Sequence, residues 1–250
     1  MLKGFTDVPV KNIEHDFLDI KVYVDCLCEF IMECDTPMTI SIQGDWGSGK
    51  TSIMNMIKCQ LSENVLPIWF NTWQYSQFEM QQYLTISLIT NIINELEVPK
   101  EKVDKLSGLL MGTVNAVKGI AKFTATTLAE QTIGQVNAQK VDDYLFTSQN
   151  ITDLANELKN LKQKLEDVVS KKLIKENKSR IVIFIDDLDR LAPEKAVEFL
   201  EVLKNFLDIK KCVFLLAVDY EVVTQGIKKK YGAELGEAKG KSFFDKMIQL

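Results

Sequence analysis

Histidine is nearly absent: His15 is the only one in 250 residues. A Ser-His-Asp relay and a multi-histidine metal site both fit such a chain poorly. Cysteines are few and odd in number, at 26, 28, 34, 59 and 212. With no secretory start in view, the expectation is reduced thiols in a cytoplasmic compartment rather than a disulfide framework. Cys26, Cys28, Cys34 and His15 could be counted as a zinc set, but the cysteines lie in an apolar helical stretch without paired C-x-x-C spacing. Excess positive charge is also missing, the net charge being -5, so nothing draws the whole chain to nucleic acid or to an anionic membrane. Long apolar runs are missing too. Leu109 to Val136 is moderately apolar, but Lys118 and Lys122 interrupt it well short of the ~20 apolar residues a spanning helix needs. An amphipathic helical insertion, with Val114, Val117, Ile120 and Ala121 on one side, suits it better than a transmembrane segment.

What is present is the balance of a globular protein, 46% hydrophobic and 26% charged, with one large domain or two small ones in reach. Its most informative stretch is Gly44-Asp45-Trp46-Gly47-Ser48-Gly49-Lys50-Thr51, a full match to G-x-x-x-x-G-K-[ST]. The flanks suit it. Thr39 to Gln43 reads as a strand, and Thr51 to Gln60 as a helix with Ile53, Met54, Met56 and Ile57 inward. Between strand and helix, a glycine-rich backbone can turn successive N–H groups inward, and the helix N-terminus adds partial positive charge. Gly44 through Ser52 are therefore the candidate nucleotide-binding segment. Lys50 is expected to reach the β- and γ-phosphates of ATP, and the Thr51 hydroxyl to ligate Mg²⁺.

A second stretch, Arg180 to Arg190, reads RIVIFIDDLDR. Ile181 to Ile185 is an unbroken apolar run, as expected of a parallel strand covered on both faces. Asp186 and Asp187 follow at its C-terminal end, the edge where such sheets bind ligands. Asp186 is the candidate Mg²⁺ partner, and Asp187 the candidate for polarising the attacking water.

Around these, periodicity predicts a helix over 16–33 on Phe17, Ile20, Val24, Leu27 and Ile31. Asp16 to Asp19 could lie against adenine or simply pack. Pro67 to Phe70 reads as the second strand, and Asn71 after it either senses the γ-phosphate or makes a turn, with Trp73 and Tyr75 anchoring the loop on the core. A helix is expected over about 81–96 on Leu84, Leu88, Ile92 and Leu96. Another is expected from Ile151 to Val169, with apolar residues at 151, 154, 158, 161, 165 and 168. Lys171 to Lys178 reads as a charged connector. Pro193 opens a helix with Ala196, Phe199, Leu200, Leu203 and Leu207 inward, and Cys212 to Val218 is an all-apolar strand. Asp219 at its tip either contacts the γ-phosphate or its water, or caps the next helix. Gly226 to Gly240 reads as a loop or frayed helix.

GDWGSGKTS at 44–52, FNTWQY at 70–75, IDDLDR at 185–190 and VFLLAVD at 213–219, in that order, resemble the KAP family of P-loop NTPases, in the additional-strand, catalytic-acid division with the AAA and STAND proteins. The resemblance covers nearly the whole chain. It implies one α/β domain over 1–250, a three-layer α/β/α P-loop NTPase with a mainly parallel sheet. In that domain a helical insertion at about 98–178 separates the second strand from the carboxylate (Walker B) strand, which is expected beside the phosphate-loop strand. It implies Mg²⁺ and ATP as ligands, and Arg190 in contact with nucleotide or a neighbouring subunit. Family members are often tied to phage exclusion or to signalling assemblies at membranes. Because the family continues into a fifth strand and a helical lid, the 250 residues are expected to be the N-terminal part of a longer protein.

The expected function is a Mg²⁺-dependent ATPase that switches a larger assembly through self-association or a protein partner, with anti-phage defence as the expected setting. An ATP-gated scaffold with little hydrolysis is the alternative. A GTPase fits less well, since no [NT]-K-x-D segment follows Asp187. Nothing in the acidic chain supplies a direct nucleic-acid footprint.

Overall fold

The computed structural model describes residues 8–16, 19–76, 84–97, 148–206 and 208–231. Phe17, Leu207, most of the expected insertion including Leu109 to Val136, and 232–240 lie outside the described residues, as do the side chains of Tyr75, Ile151, Leu154, Leu158 and Leu161.

Among the described residues, four strands form the sheet: β1 (Met38–Gln43), β2 (Val65–Asn71), β3 (Arg180–Asp186) and β4 (Cys212–Val218). Their order is β1-β4-β3-β2 and every pairing is parallel. Contrary to expectation, the carboxylate strand β3 is not beside the phosphate-loop strand β1: β4 lies between them. Burial explains the order. All seven residues of β4 are buried, as are 181–186 of β3, whereas Thr39, Ser41 and Gln43 leave one face of β1 polar. The two strands buried along their length take the centre, and half-polar β1 and partly exposed β2 take the edges of the described sheet.

Side chains alternate between two cores. Ile181, Ile183 and Ile185 of β3, with Cys212, Phe214 and Leu216 of β4, face a cluster completed by α4 (Leu84–Glu95), α5 (Ser148–Glu176), α6 (Pro193–Phe206) and α7 (Tyr220–Tyr231). Val182, Phe184, Val213, Leu215 and Ala217 face the other cluster, closed by α1 (Lys21–Glu33) and α2 (Lys50–Gln60). Helices on both faces of a parallel sheet make the expected three-layer α/β/α architecture. Half-buried Trp69 of β2 stacks on Phe184 of β3 with ring centroids 5.3 Å apart, and the buried Phe184 ring contributes ~2–3 kcal/mol at most. A short α3 (Trp73–Ser76) follows β2.

Three further expectations change. Helix α1 begins at Lys21 rather than 16, because the Asp16 carboxylate accepts the Lys21 N–H at 2.8 Å and holds its entry. Lys171 to Lys178 is not a connector: α5 runs unbroken to Glu176. Leu165, Val169 and Leu173, four apart, continue its buried face, and Lys172 is buried between Glu97 (3.0 Å) and Glu176 (2.7 Å). The helix stops at Asn177, whose φ of 54° is left-handed, with Lys178 N–H closing onto the Leu173 carbonyl. Residues 226–231, read as loop or frayed helix, are helical in α7. Among the described residues, no helix is long and apolar enough to cross a membrane.

Candidate functional site

The loop between β1 and α2 is tied to the sheet at its first residue, where Gly44 N–H donates to the Val218 carbonyl at 3.2 Å. Gly47 and Gly49 take φ of 80° and 93°, left-handed values that turn the chain into α2. The Ile53 N–H bonds the Gly49 carbonyl at 3.0 Å. The N–H groups of the first turn before it have no intrahelical acceptor, which is the ordinary anion-binding feature of a helix N-terminus. Asp45, Trp46, Gly47 and Ser48 are exposed, Trp46 at 78%. Ser52 faces elsewhere: its hydroxyl accepts the Val10 N–H at 3.0 Å, while Asn55 holds the Val10 carbonyl from the same helix.

Lys50 is buried, and all three of its ammonium hydrogens have acceptors: the carbonyls of Gly44 (2.8 Å) and Asp45 (2.9 Å) and Oδ2 of Asp189 (2.9 Å). Asp189 was not among the residues read from the sequence. It is the third acid of IDDLDR, and only the 3-10 turn Leu188–Arg190 swings it back toward the loop.

Thr51 Oγ1 donates to Asp186 Oδ1 at 3.2 Å, across 135 residues of sequence. Asp186 is 3% exposed. Burial first, then the charge of Asp187, pushes its carboxyl up from the usual carboxylate range, against hydrogen bonds from the Asp187 N–H and Thr51. Thr72, wholly buried, donates both its hydroxyl (2.9 Å) and its N–H (3.1 Å) to the Asp186 carbonyl and so joins β2 to the end of β3.

Asp187 lies just past β3 in the left-handed region (φ 61°), sparsely populated outside glycine but tolerated by Asp and Asn. Its Oδ2 accepts from Asn71 Nδ2 at 2.7 Å and its Oδ1 pairs with Arg190 Nε at 2.6 Å. Asn71 also caps α3, its Oδ1 taking the Trp73 N–H at 2.9 Å. The Arg190 guanidinium lies 4.9 Å from the Trp73 ring centre. Trp73 is 39% exposed, so it anchors Arg190 rather than a core loop. Asp219, one residue past the strand tip that holds Gly44, accepts the Glu221 N–H at 2.8 Å on its side chain and the Val223 N–H at 3.2 Å on its carbonyl, the geometry of an N-cap for α7.

Lys50, Thr51, Asp186, Asp187, Asn71 and Arg190 thus converge at the C-terminal edge of the sheet, with Asp219 at its rim. A hydroxyl and a carboxylate are hard oxygen donors, and 3.2 Å apart they suit a small hard cation such as Mg²⁺. The N-terminus of α2, with the positive-φ glycines that lead into it, suits a polyphosphate.

A parallel sheet with this loop after its edge strand and these acids after its central one defines a P-loop nucleotide-binding domain. Residues 20–250 match the KAP family P-loop domain, and the chain belongs to that family. It is also similar to the phage T7 exclusion protein of Escherichia coli K12, 27% identical over 233 residues. That match covers 84% of this chain and 29% of the length of that relative.

Proposed function

We propose that this domain binds ATP with Mg²⁺ at the Gly44–Ser52 loop and hydrolyses it, switching a larger assembly of which it is part. The observation that carries the reading is the meeting of Thr51 with Asp186 beside a buried Lys50, three groups from distant segments whose chemistry matches one ligand. Bound Mg²⁺ would supply charge neutralisation at the β- and γ-phosphates. Thr51 and Asp186 would hold that ion, Lys50 and the loop N–H groups would hold the phosphates, and Asp187 would orient and deprotonate the attacking water. Asn71 and Arg190 position Asp187, and Asp219 fixes the tip of β4 behind the loop.

The test is calorimetry with Mg-ATP, paired with phosphate release. Micromolar uptake that Lys50→Ala weakens, and turnover that Asp187→Asn abolishes, are the expected results. Absence of ATP uptake by the wild-type chain would overturn the reading.

The second reading, an ATP-gated scaffold that hydrolyses little, is favoured by one observation. Both oxygens of Asp187 already carry protein partners. Turnover unaffected by Asp187→Asn would select it. Anti-phage defence is the proposed setting for either activity, supported by the relative named for phage T7 exclusion. Loss of phage protection in a Lys50→Ala variant of the full reading frame would support that setting, and retention would remove it.

A further inference from the structure

Two adjacent residues of one short turn, Asp189 and Arg190, reach opposite ways. Asp189 closes on Lys50 at 2.9 Å and Arg190 closes on Asp187 at 2.6 Å. The turn has a fixed point, Leu188, buried at 2% exposure, and it begins at Asp187, whose left-handed backbone marks the change of direction. We propose that Leu188–Arg190 is a two-sided latch: phosphate and Asp189 compete for Lys50, and the turn that yields Asp189 also withdraws Arg190 from Asp187.

The argument starts from the ammonium. Lys50 has three hydrogens and three protein acceptors, so any phosphate reaching it displaces one. Two of those acceptors are backbone carbonyls of the loop itself, fixed by its fold. The third is a side chain on a three-residue turn, and it is the one that carries charge. Side-chain exposures of 8% for Lys50 and 6% for Asp189 put the pair out of bulk water. There an incoming polyphosphate both replaces Asp189 on the ammonium and repels it. Asp189 is joined through one peptide bond to Arg190, so its departure rotates the residue whose guanidinium lies against Trp73. The pairing of Asp187 therefore depends on whether phosphate is bound some residues away, which links occupancy to the availability of the water-orienting carboxylate.

The inference rests on the nucleotide reading above, and the experiment separates the two. Calorimetry with a slowly hydrolysed ATP analogue and Mg²⁺ compares wild type with Asp189→Asn, which keeps an acceptor for Lys50 but removes the competing charge. The affinity is expected to tighten about tenfold, equivalent to about 1.4 kcal/mol. A residue that only positioned Lys50 would weaken binding when changed, and so an unchanged or weaker affinity overturns the latch while leaving the nucleotide reading intact. No uptake by the wild type would sink both. A second arm leaves position 189 untouched. In Trp46→Phe, which removes the loop tryptophan, saturating analogue should change the emission of Trp73 as Arg190 leaves its face, and Trp46→Phe/Trp73→Phe should lose that change. Calorimetric saturation with unmoved Trp73 emission would overturn the coupling.

Discussion

Asn71 at the end of β2 and Asp187 just beyond β3 are 116 residues apart in sequence and 2.7 Å apart in space, the amide donating to the carboxylate. Parallel register makes the meeting: Asn71 pairs with Asp186, so the next residue on the β3 side falls within reach of the Asn71 side chain. The pair fixes where Asp187 points without adding charge.

The first prediction follows from that position. Asp187→Asn keeps a residue that tolerates φ near 61° and one acceptor oxygen, enough for Asn71 but not also for Arg190, so the fold should be kept while the Arg190 ion pair is lost. It removes the carboxylate proposed to accept the water proton. Phosphate release should fall by ~10²- to 10⁴-fold while ATP binding is retained. Single-turnover release and calorimetry on the same preparation check both halves.

The parts of this site that could be read from the sequence are those whose signal is local. GDWGSGKT carries its geometry within eight residues, and RIVIFIDD announces a buried strand ending in acids. What could not be read that way depends on segments far apart. The place of β4 between β1 and β3 is decided by comparing strands: CVFLLAV has no polar face, and MTISIQ has one. Lys171 to Lys178 misled because lysine count outweighed the four-residue spacing of Leu165, Val169 and Leu173. Asp189 stayed hidden because its partner depends on a turn direction that neither composition nor period encodes.

The second prediction concerns how α6 and α7 approach. A Cβ placed on Gly226 of α7 would lie 2.1 Å from the Pro193 carbonyl oxygen and 2.7 Å from a Val197 methyl. Alanine is the better helix former by up to ~1 kcal/mol. Overpacking against a backbone atom costs ~1–3 kcal/mol, and the carbonyl cannot rotate away as a side chain would. Gly226→Ala is therefore expected to destabilise the domain, with a lowered urea midpoint at unchanged m-value.

The third concerns pH. The Asp186 carboxyl is pushed above its usual range in the folded chain, by burial first and by Asp187 second. Between the unfolded and folded values the folded chain then holds a proton that the unfolded chain has released. Stability from this group accordingly falls as pH rises through that window, and the penalty is complete above the folded value. Asp186→Asn keeps an oxygen for Thr51 and the Asp187 N–H but removes the buried charge. In Mg²⁺-free buffer its melting temperature should exceed that of the wild type near neutral pH. The gain should shrink on acidification below the folded value. A gain that grows toward acid would reverse the sign and refute the assignment.

The fourth tests the Lys50–Asp189 pair through stability rather than binding. Both side chains are under a tenth exposed, so Lys50→Ala strands a carboxylate out of water, a loss of ~3–5 kcal/mol. Removing both charges is different: a buried ion pair has already given up the hydration of each partner, and apolar side chains of similar volume often do as well. Lys50→Met/Asp189→Leu should therefore recover most of that loss in its urea midpoint, short of wild type because the Gly44 and Asp45 carbonyls lose their Lys50 donor. The three midpoints together distinguish a closed pair from two independent surface charges, for which the single change would cost only ~0–1 kcal/mol and the double change would add nothing back.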